Sequence, residues 1–136
     1  MERGVGKPRT AQGRSKFYSA LREELRAFAE KTFALATLED GIPYRQVLEG
    51  LLDRTQKSEK RAALEAELET PPLPLELEHV WYSFCRLNAR RRSGFSAEPI
   101  AWSDLDAFTR LTGARLAPFE IQLIEMLDDL YRKPKD

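Results

Sequence analysis

The chain has 136 residues, with 22 basic side chains, 22 acidic side chains and one His, so its formal net charge is zero. Its composition, 42% hydrophobic and 32% charged, supplies one modest core and a highly charged surface. Every apolar run is short, which excludes a membrane-spanning segment, and a single Cys excludes an internal disulfide. Zero net charge also argues against a nucleic-acid partner held by bulk electrostatics.

The N-terminus concentrates the positive charge. Residues 1–16 hold five basic side chains against Glu2 alone, together with three Gly and one Pro. Such a segment buries too little apolar surface to offset the entropy lost on ordering, so residues 1–15 are predicted to form a disordered basic tail. Because the whole chain is neutral, the net charge of +4 on residues 1–16 leaves −4 on the body.

Residues 16–70 are predicted to form an N-terminal helical unit. A helix begins at Lys16, with Ser15 as its N-cap, and Gly41 supplies its C-terminal turn. Its apolar side chains recur every three or four residues and make one stripe. The stripe consists of Phe17, Leu21, Leu25, Phe28, Thr32 and Leu35.

A second helix follows Pro43, and a charged stretch, 58–69, is expected to be a solvated helix with a thin apolar edge. The prolines of residues 71–74 cannot continue a helix, so this segment is predicted to be a stiff linker. Its PxxP-like spacing leaves open a role as a ligand for an SH3-type domain.

Residues 75–134 are predicted to form a C-terminal helical unit. A bulky apolar face runs from Leu77 to Leu87, a short helix near Trp102 ends at Gly113, and Pro118 opens the last helix. No stretch alternates with a period of two residues, as a half-buried strand would. The predicted fold is all-α, a small bundle of five or six short helices.

No constellation of residues indicates catalysis, a metal or a cofactor. His79 and Cys85 lie six residues apart, on different faces of one helix, and lack partners for acid–base or nucleophilic chemistry. The carboxylates on the last two helices have no accompanying His and are expected to be solvated. Asp128 is a candidate for a structural ion pair with Arg110 or Arg115.

A helix–turn–helix is the main alternative, because residues 103–131 have the order short helix, Gly-containing turn, second helix. The second helix would have to approach an anionic duplex. It carries mainly acidic side chains, with Arg132 and Lys133 only at its end. This charge pattern argues against DNA binding by these helices.

The C-terminal half holds more large aromatic side chains than so small a unit is expected to bury completely. At least one should be exposed, and a partly exposed aromatic groove would bind an amphipathic helix or an unfolded segment. The candidate partner-binding residues are Trp81, Phe84, Trp102, Phe119 and Tyr131.

The order of motifs over residues 71–131 resembles the tail assembly chaperones of long-tailed bacteriophages and prophages. The pieces that carry the resemblance are Pro71-Pro72-Leu73-Pro74, Trp81 with Phe84, Arg90-Arg91-Arg92-Ser93-Gly94-Phe95, Pro99-Ile100-Ala101-Trp102, Leu111-Thr112-Gly113, Leu116-Ala117-Pro118-Phe119-Glu120, Leu127-Asp128 and Tyr131. Ala101 and Ala117 stand where the family prefers a hydroxyl cap, and Phe119 where it prefers Trp. Ser103 is a candidate replacement for the first cap.

The resemblance implies a non-enzymatic protein of the bacterial host cytoplasm that is absent from the mature virion. It implies binding to the hydrophobic tape measure protein and recruitment of the major tail protein, with no small-molecule substrate. A homo-oligomer is left open. The alternatives are a small DNA-binding regulator and a helical protein–protein adaptor.

Overall fold

The computed structural model describes residues 11–91 and 98–133, with side chains from Ser15 onward. Within these ranges the predicted all-α fold is confirmed, with a short 3-10 helix at Leu75–Leu77. Its six α-helices are α1 (Ala11–Ala36), α2 (Tyr44–Arg54), α3 (Ser58–Leu68), α4 (Glu78–Ala89), α5 (Trp102–Thr112) and α6 (Pro118–Arg132). No helix in the described ranges is long and apolar enough to cross a membrane.

Helix α1 starts earlier than the sequence pattern indicates. It begins at Ala11, four residues before Ser15, the predicted N-cap. Ala11 and Gln12 are good helix formers, so the helix continues in the N-terminal direction past the predicted boundary. The remainder of the predicted tail, residues 1–10, lies outside the described residues.

A small hairpin, which was not predicted, separates α1 from α2. Strand β1 (Leu38–Glu39) pairs antiparallel with β2 (Ile42–Pro43). Asp40 and Gly41 between them have φ of 51° and 82°. Positive φ at both central residues is typical of a tight hairpin turn, for which an Asp-Gly pair is a strong sequence signal. Gly41 therefore serves a hairpin, and α1 ends earlier, at Ala36.

Helices α2 and α3 form a helical hairpin beside the C-terminal end of α1. Leu48 of α2 is buried, whereas α3 has no buried residue, in agreement with a solvated helix. The side chain of Arg61 on α3 crosses the connection and donates to the carbonyl oxygens of Leu52, at 2.9 Å, and Thr55, at 3.0 Å. These oxygens lie at the C-terminal end of α2, where carbonyl groups lack partners within the helix.

The proline segment packs against the protein. Pro74 is buried and Leu73 packs on the core, while Pro71 and Pro72 are exposed. A buried Pro74 could not enter a partner's groove, so the segment is not presented as a free PxxP ligand.

One core contains residues from both sides of the proline segment. Its members on α1 recur every four residues, and those on α6 lie opposite them. The buried cluster consists of Leu21, Leu25, Ala29, Leu77, Val80, Trp81, Phe84, Leu105, Leu123, Ile124, Met126 and Leu127. Because α1 packs on α6, the predicted N-terminal and C-terminal units share a single interior.

Candidate functional site

An open groove between α5 and α6 is the candidate functional site. Its volume is about 730 Å³. Apolar lining comes from Leu105 of α5, Leu116 of the connection and Ile121 of α6. The charged lining residues include Arg115 and Glu120. A groove that is mostly apolar with a few charged groups suits a segment of another protein that has one apolar face.

The connection that shapes this groove depends on Gly113. Its φ of 75° is in the left-handed region, where Gly avoids the steric cost of a Cβ atom. Its N–H donates to the carbonyl oxygen of Thr109 at 3.0 Å and so closes α5. The predicted end of this helix at Gly113 is confirmed.

Trp102 is the exposed aromatic residue of the groove. It is the first residue of α5 and is 74% exposed. Its indole Nε1–H donates to Oε2 of Glu125 on α6 at 2.9 Å. This hydrogen bond orients the ring while leaving most of its surface in solvent. The sequence predicts a solvated carboxylate at Glu125, and the contact with Trp102 is visible only in the tertiary structure.

The start of α6 is fixed by Glu120. One carboxylate oxygen accepts from the backbone N–H of Ala117 at 2.8 Å, and the other lies 2.6 Å from Nε2 of His79 on α4. Glu120 thus supplies one half of a capping box, whereas Ala117 has no side-chain oxygen to accept from the backbone N–H groups of the first turn. At α5, Ala101 occupies the N-cap without a side-chain bond and Ser103 lies inside the helix, so the expected replacement cap at Ser103 is wrong.

Trp81 and Phe84 belong to the core. They are 7% and 1% exposed. The Trp81 ring lies 4.8 Å from the ring of Phe28, edge to face, and 5.6 Å from that of Phe33. Phe33 also lies 6.0 Å from Phe84, so α1 covers the face on which both predicted contact residues lie. The expectation that they border an accessible groove is corrected, because burial against α1 removes them from any partner's reach.

Phe119 and Tyr131 are intermediate cases at opposite ends of α6. Phe119 is half-buried, with its ring 4.5 Å from that of Tyr18. Tyr131 is 39% exposed and packs edge to face on Phe33 at 5.5 Å. Of the five candidate residues, Trp102 is therefore the one that is largely exposed and lines the groove.

Asp128 is a buried carboxylate that contacts residues on both sides of segment 92–97, namely Arg91 and Ile100. It is 3% exposed. It pairs with Arg91, accepts from the backbone N–H of Ile100 at 2.9 Å and lies 3.2 Å from Nε of Arg132. The expectation of a solvated Asp128, or of a pair with Arg110 or Arg115, is wrong. Arg91 also donates to the carbonyl oxygen of Glu98.

Cys85 and His79 lie in different surroundings, as their spacing on α4 indicates. Cys85 is half-buried, and burial raises the pKa of its thiol above the usual value. His79 is turned to Glu120. Among the described residues no group of three or more His, Cys, Asp or Glu is arranged to hold a metal ion.

The burial of α6 bears on the helix–turn–helix alternative. Its buried residues are Leu123, Ile124, Met126, Leu127 and Asp128. A recognition helix must expose a long face to the major groove. Here α6 packs on α1 and α4, and its exposed positions include Glu125 and Asp129. This geometry and charge disfavour insertion of α6 into a duplex.

Comparison with known proteins gives one family. Residues 55–133 match the family model described as phage tail assembly chaperone. A characterised protein with local similarity is the mating-type locus allele B7 protein of Mycosarcoma maydis, 33% identical over 99 residues. The match covers 71% of this chain, and the chain spans only 23% of that relative's length. No solved structure matches the chain.

Proposed function

The chain belongs to the phage tail assembly chaperone family, and from that premise we propose that it binds the tape measure protein during tail assembly. The family match confirms the resemblance inferred for residues 71–131 and extends it back to residue 55. In the proposed role the chain keeps a long, hydrophobic protein soluble and helps to recruit the major tail protein around it. Such a role is non-enzymatic.

The groove between α5 and α6 is the observation that carries this proposal. All of its lining residues fall within the range matched by the family model. Trp102, 74% exposed, presents a large apolar surface there, and the partly exposed Leu116 and Ile121 extend the apolar lining. A partner's apolar side chains would gain about 25 cal/mol for each Å² that leaves water in this groove. A charged exterior would keep the complex in solution.

The proposed site of action is the cytoplasm of the infected bacterial cell. A chaperone that covers apolar surface on the tape measure protein must leave when the tail protein takes its place. The chain is therefore proposed to be absent from the mature virion. Mass spectrometry of purified tails, with an assembling lysate as reference, tests this part.

Co-expression with a fragment of the tape measure protein tests the binding. The wild-type chain should move the fragment from the insoluble to the soluble fraction. Trp102→Ala should reduce the soluble yield, because it removes the exposed anchor of the groove. Tyr82→Ala is the matched control, since Tyr82 is an exposed aromatic residue (62%) on α4. If the fragment stays equally insoluble with and without the wild-type chain, the proposal fails.

A further inference from the structure

Trp102 and Glu125 together provide negative electrostatic potential, which binding by apolar contact alone would not require. The indole N–H is engaged by Glu125, so the carboxylate stands at the edge of an exposed ring. The face of an indole carries negative electrostatic potential, which attracts cations. A carboxylate at the edge of the ring adds a full negative charge nearby. Together they favour a cationic side chain over a neutral or anionic one.

Glu125 has its negative charge available for such a contact. It is exposed, and no ion pair within the described ranges involves it. Other carboxylates near the groove already have partners. Asp106 lies 3.2 Å from Nε of Arg110, and Glu120 contacts His79. No cationic side chain of the described residues lies over the Trp102 ring, although such contacts occur at Phe108 and Tyr131.

We propose that this corner of the groove binds a Lys or Arg side chain of an amphipathic helix whose apolar face lies against Leu116 and Ile121. Apolar residues three and four positions apart on that helix would enter the groove, and the cation would lie on Trp102 beside Glu125. The inference rests on the proposed function, since the occupant is a segment of the tape measure protein. Charge complementarity at Trp102 and Glu125 then selects a basic residue beside the apolar face of the segment, whereas Arg115, elsewhere in the groove lining, favours an acidic residue opposite it.

Three labelled helical peptides with one apolar face test the charge selectivity on the intact chain. They share Leu and Ala on that face and differ in bearing Lys, Gln or Glu beside it. Fluorescence anisotropy should rank the affinities Lys above Gln above Glu. Glu125→Gln should weaken binding of the Lys peptide about five- to tenfold and leave the Gln peptide nearly unchanged. Trp102→Ala should weaken both peptides.

Matched controls distinguish a specific effect of Glu125→Gln on the Lys peptide from a general loss of negative charge or of the fold. Asp129→Asn removes a carboxylate from the same helix that contacts Arg132 and not Trp102, and it should leave all three affinities unchanged. Circular dichroism should give the same helical content for every variant. Equal binding of the Lys and Gln peptides, or an unaffected Lys peptide with Glu125→Gln, overturns the inference.

Capture of tape measure fragments distinguishes failure of this inference from failure of the proposed function. If the wild type, Glu125→Gln and Trp102→Ala capture fragments equally well, the binding function stands and this site is overturned. If the wild type captures no fragment, the proposed function fails and the inference that rests on it fails with it. Capture that is weakened by both variants and favours fragments rich in Lys or Arg supports both.

Discussion

Two neighbouring acidic residues on α6 have opposite surroundings. Asp128 is 3% exposed, whereas the side chain of Asp129 is 74% exposed. Both lie near Arg132, but Asp128 also pairs with Arg91, whose side chain is only 12% exposed. A buried charge without its partner is costly, while an exposed pair contributes little. The identity of the residue is the same, and position on the helix decides its energetic role.

We expect Asp128→Ala to lower the free energy of unfolding by about 3–5 kcal/mol, because it leaves Arg91 buried without its partner. Asp129→Ala should change it by less than about 1 kcal/mol. Urea unfolding followed by circular dichroism measures both. Similar losses for the two variants would show that Asp128 does not hold Arg91 and Ile100 to α6.

Cys85 should react slowly with alkylating reagents in the folded chain. Burial raises the pKa of its thiol, which lowers the fraction of reactive thiolate at neutral pH. The pH profile of alkylation by iodoacetamide should therefore be displaced to higher pH relative to the urea-unfolded chain. Because the folded chain holds the thiol proton more tightly, the contribution of Cys85 to folding stability is present below the unfolded pKa and is lost as pH rises through the folded pKa. Identical profiles in both states would contradict the burial.

At the scale of elements, the α2–α3 hairpin depends on a side chain that crosses the connection. Arg61 supplies donors to two carbonyl oxygens at the end of α2 and lies 4.0 Å from Glu65 on its own helix. Tyr44, at the start of α2, donates to Glu67 of α3, and this hydrogen bond raises the pKa of the tyrosine hydroxyl. Helical periodicity predicts α2 and α3, but it contains no information on contacts between them.

Replacing Arg61 by Ala should loosen α2 locally. The side chain is 41% exposed, so we expect a loss of only about 1 kcal/mol from its two hydrogen bonds. Backbone amides of α2 should exchange with deuterium faster, while those of α4 keep their rates. Lys60→Ala, at an exposed neighbouring position, should change neither set. Unchanged deuterium exchange in α2 with Arg61→Ala would show that Arg61 does not cap this helix.

At the scale of the whole molecule, the boundary that the prolines mark in sequence is not a boundary in the core. The family match begins at residue 55 and so excludes α1. Yet α1 supplies Leu21, Leu25 and Ala29 to the same buried cluster as α4 and α6. Each buried Leu contributes about 1.5–3 kcal/mol, which is a large share of a small domain's stability.

A fragment of residues 71–136 should therefore fail to fold alone. Its apolar residues on α4 and α6 would lose the cover of α1, and so short a chain has little interior to compensate. Circular dichroism and thermal melting should show no cooperative transition for the fragment. Mixing it with a fragment of residues 1–70 should restore helicity. A cooperative transition of the 71–136 fragment by itself would show that the C-terminal half is self-sufficient.

Periodicity, turn residues and motif order are local properties, so they suffice to predict the helical class, the end of α5 at Gly113, the solvated character of α3 and the family. The hairpin at Asp40-Gly41 could also have been predicted from the sequence, since its turn residues are a local signal. By contrast, tertiary packing buries Trp81 and Phe84, brings the exposed Trp102 to Glu125, and encloses Asp128 with Arg91. Burial depends on which helices cover a face, and those helices are distant in the chain. The packing of α1 on α4 and α6 therefore buries Trp81 and Phe84, whereas Trp102 on α5 stays exposed.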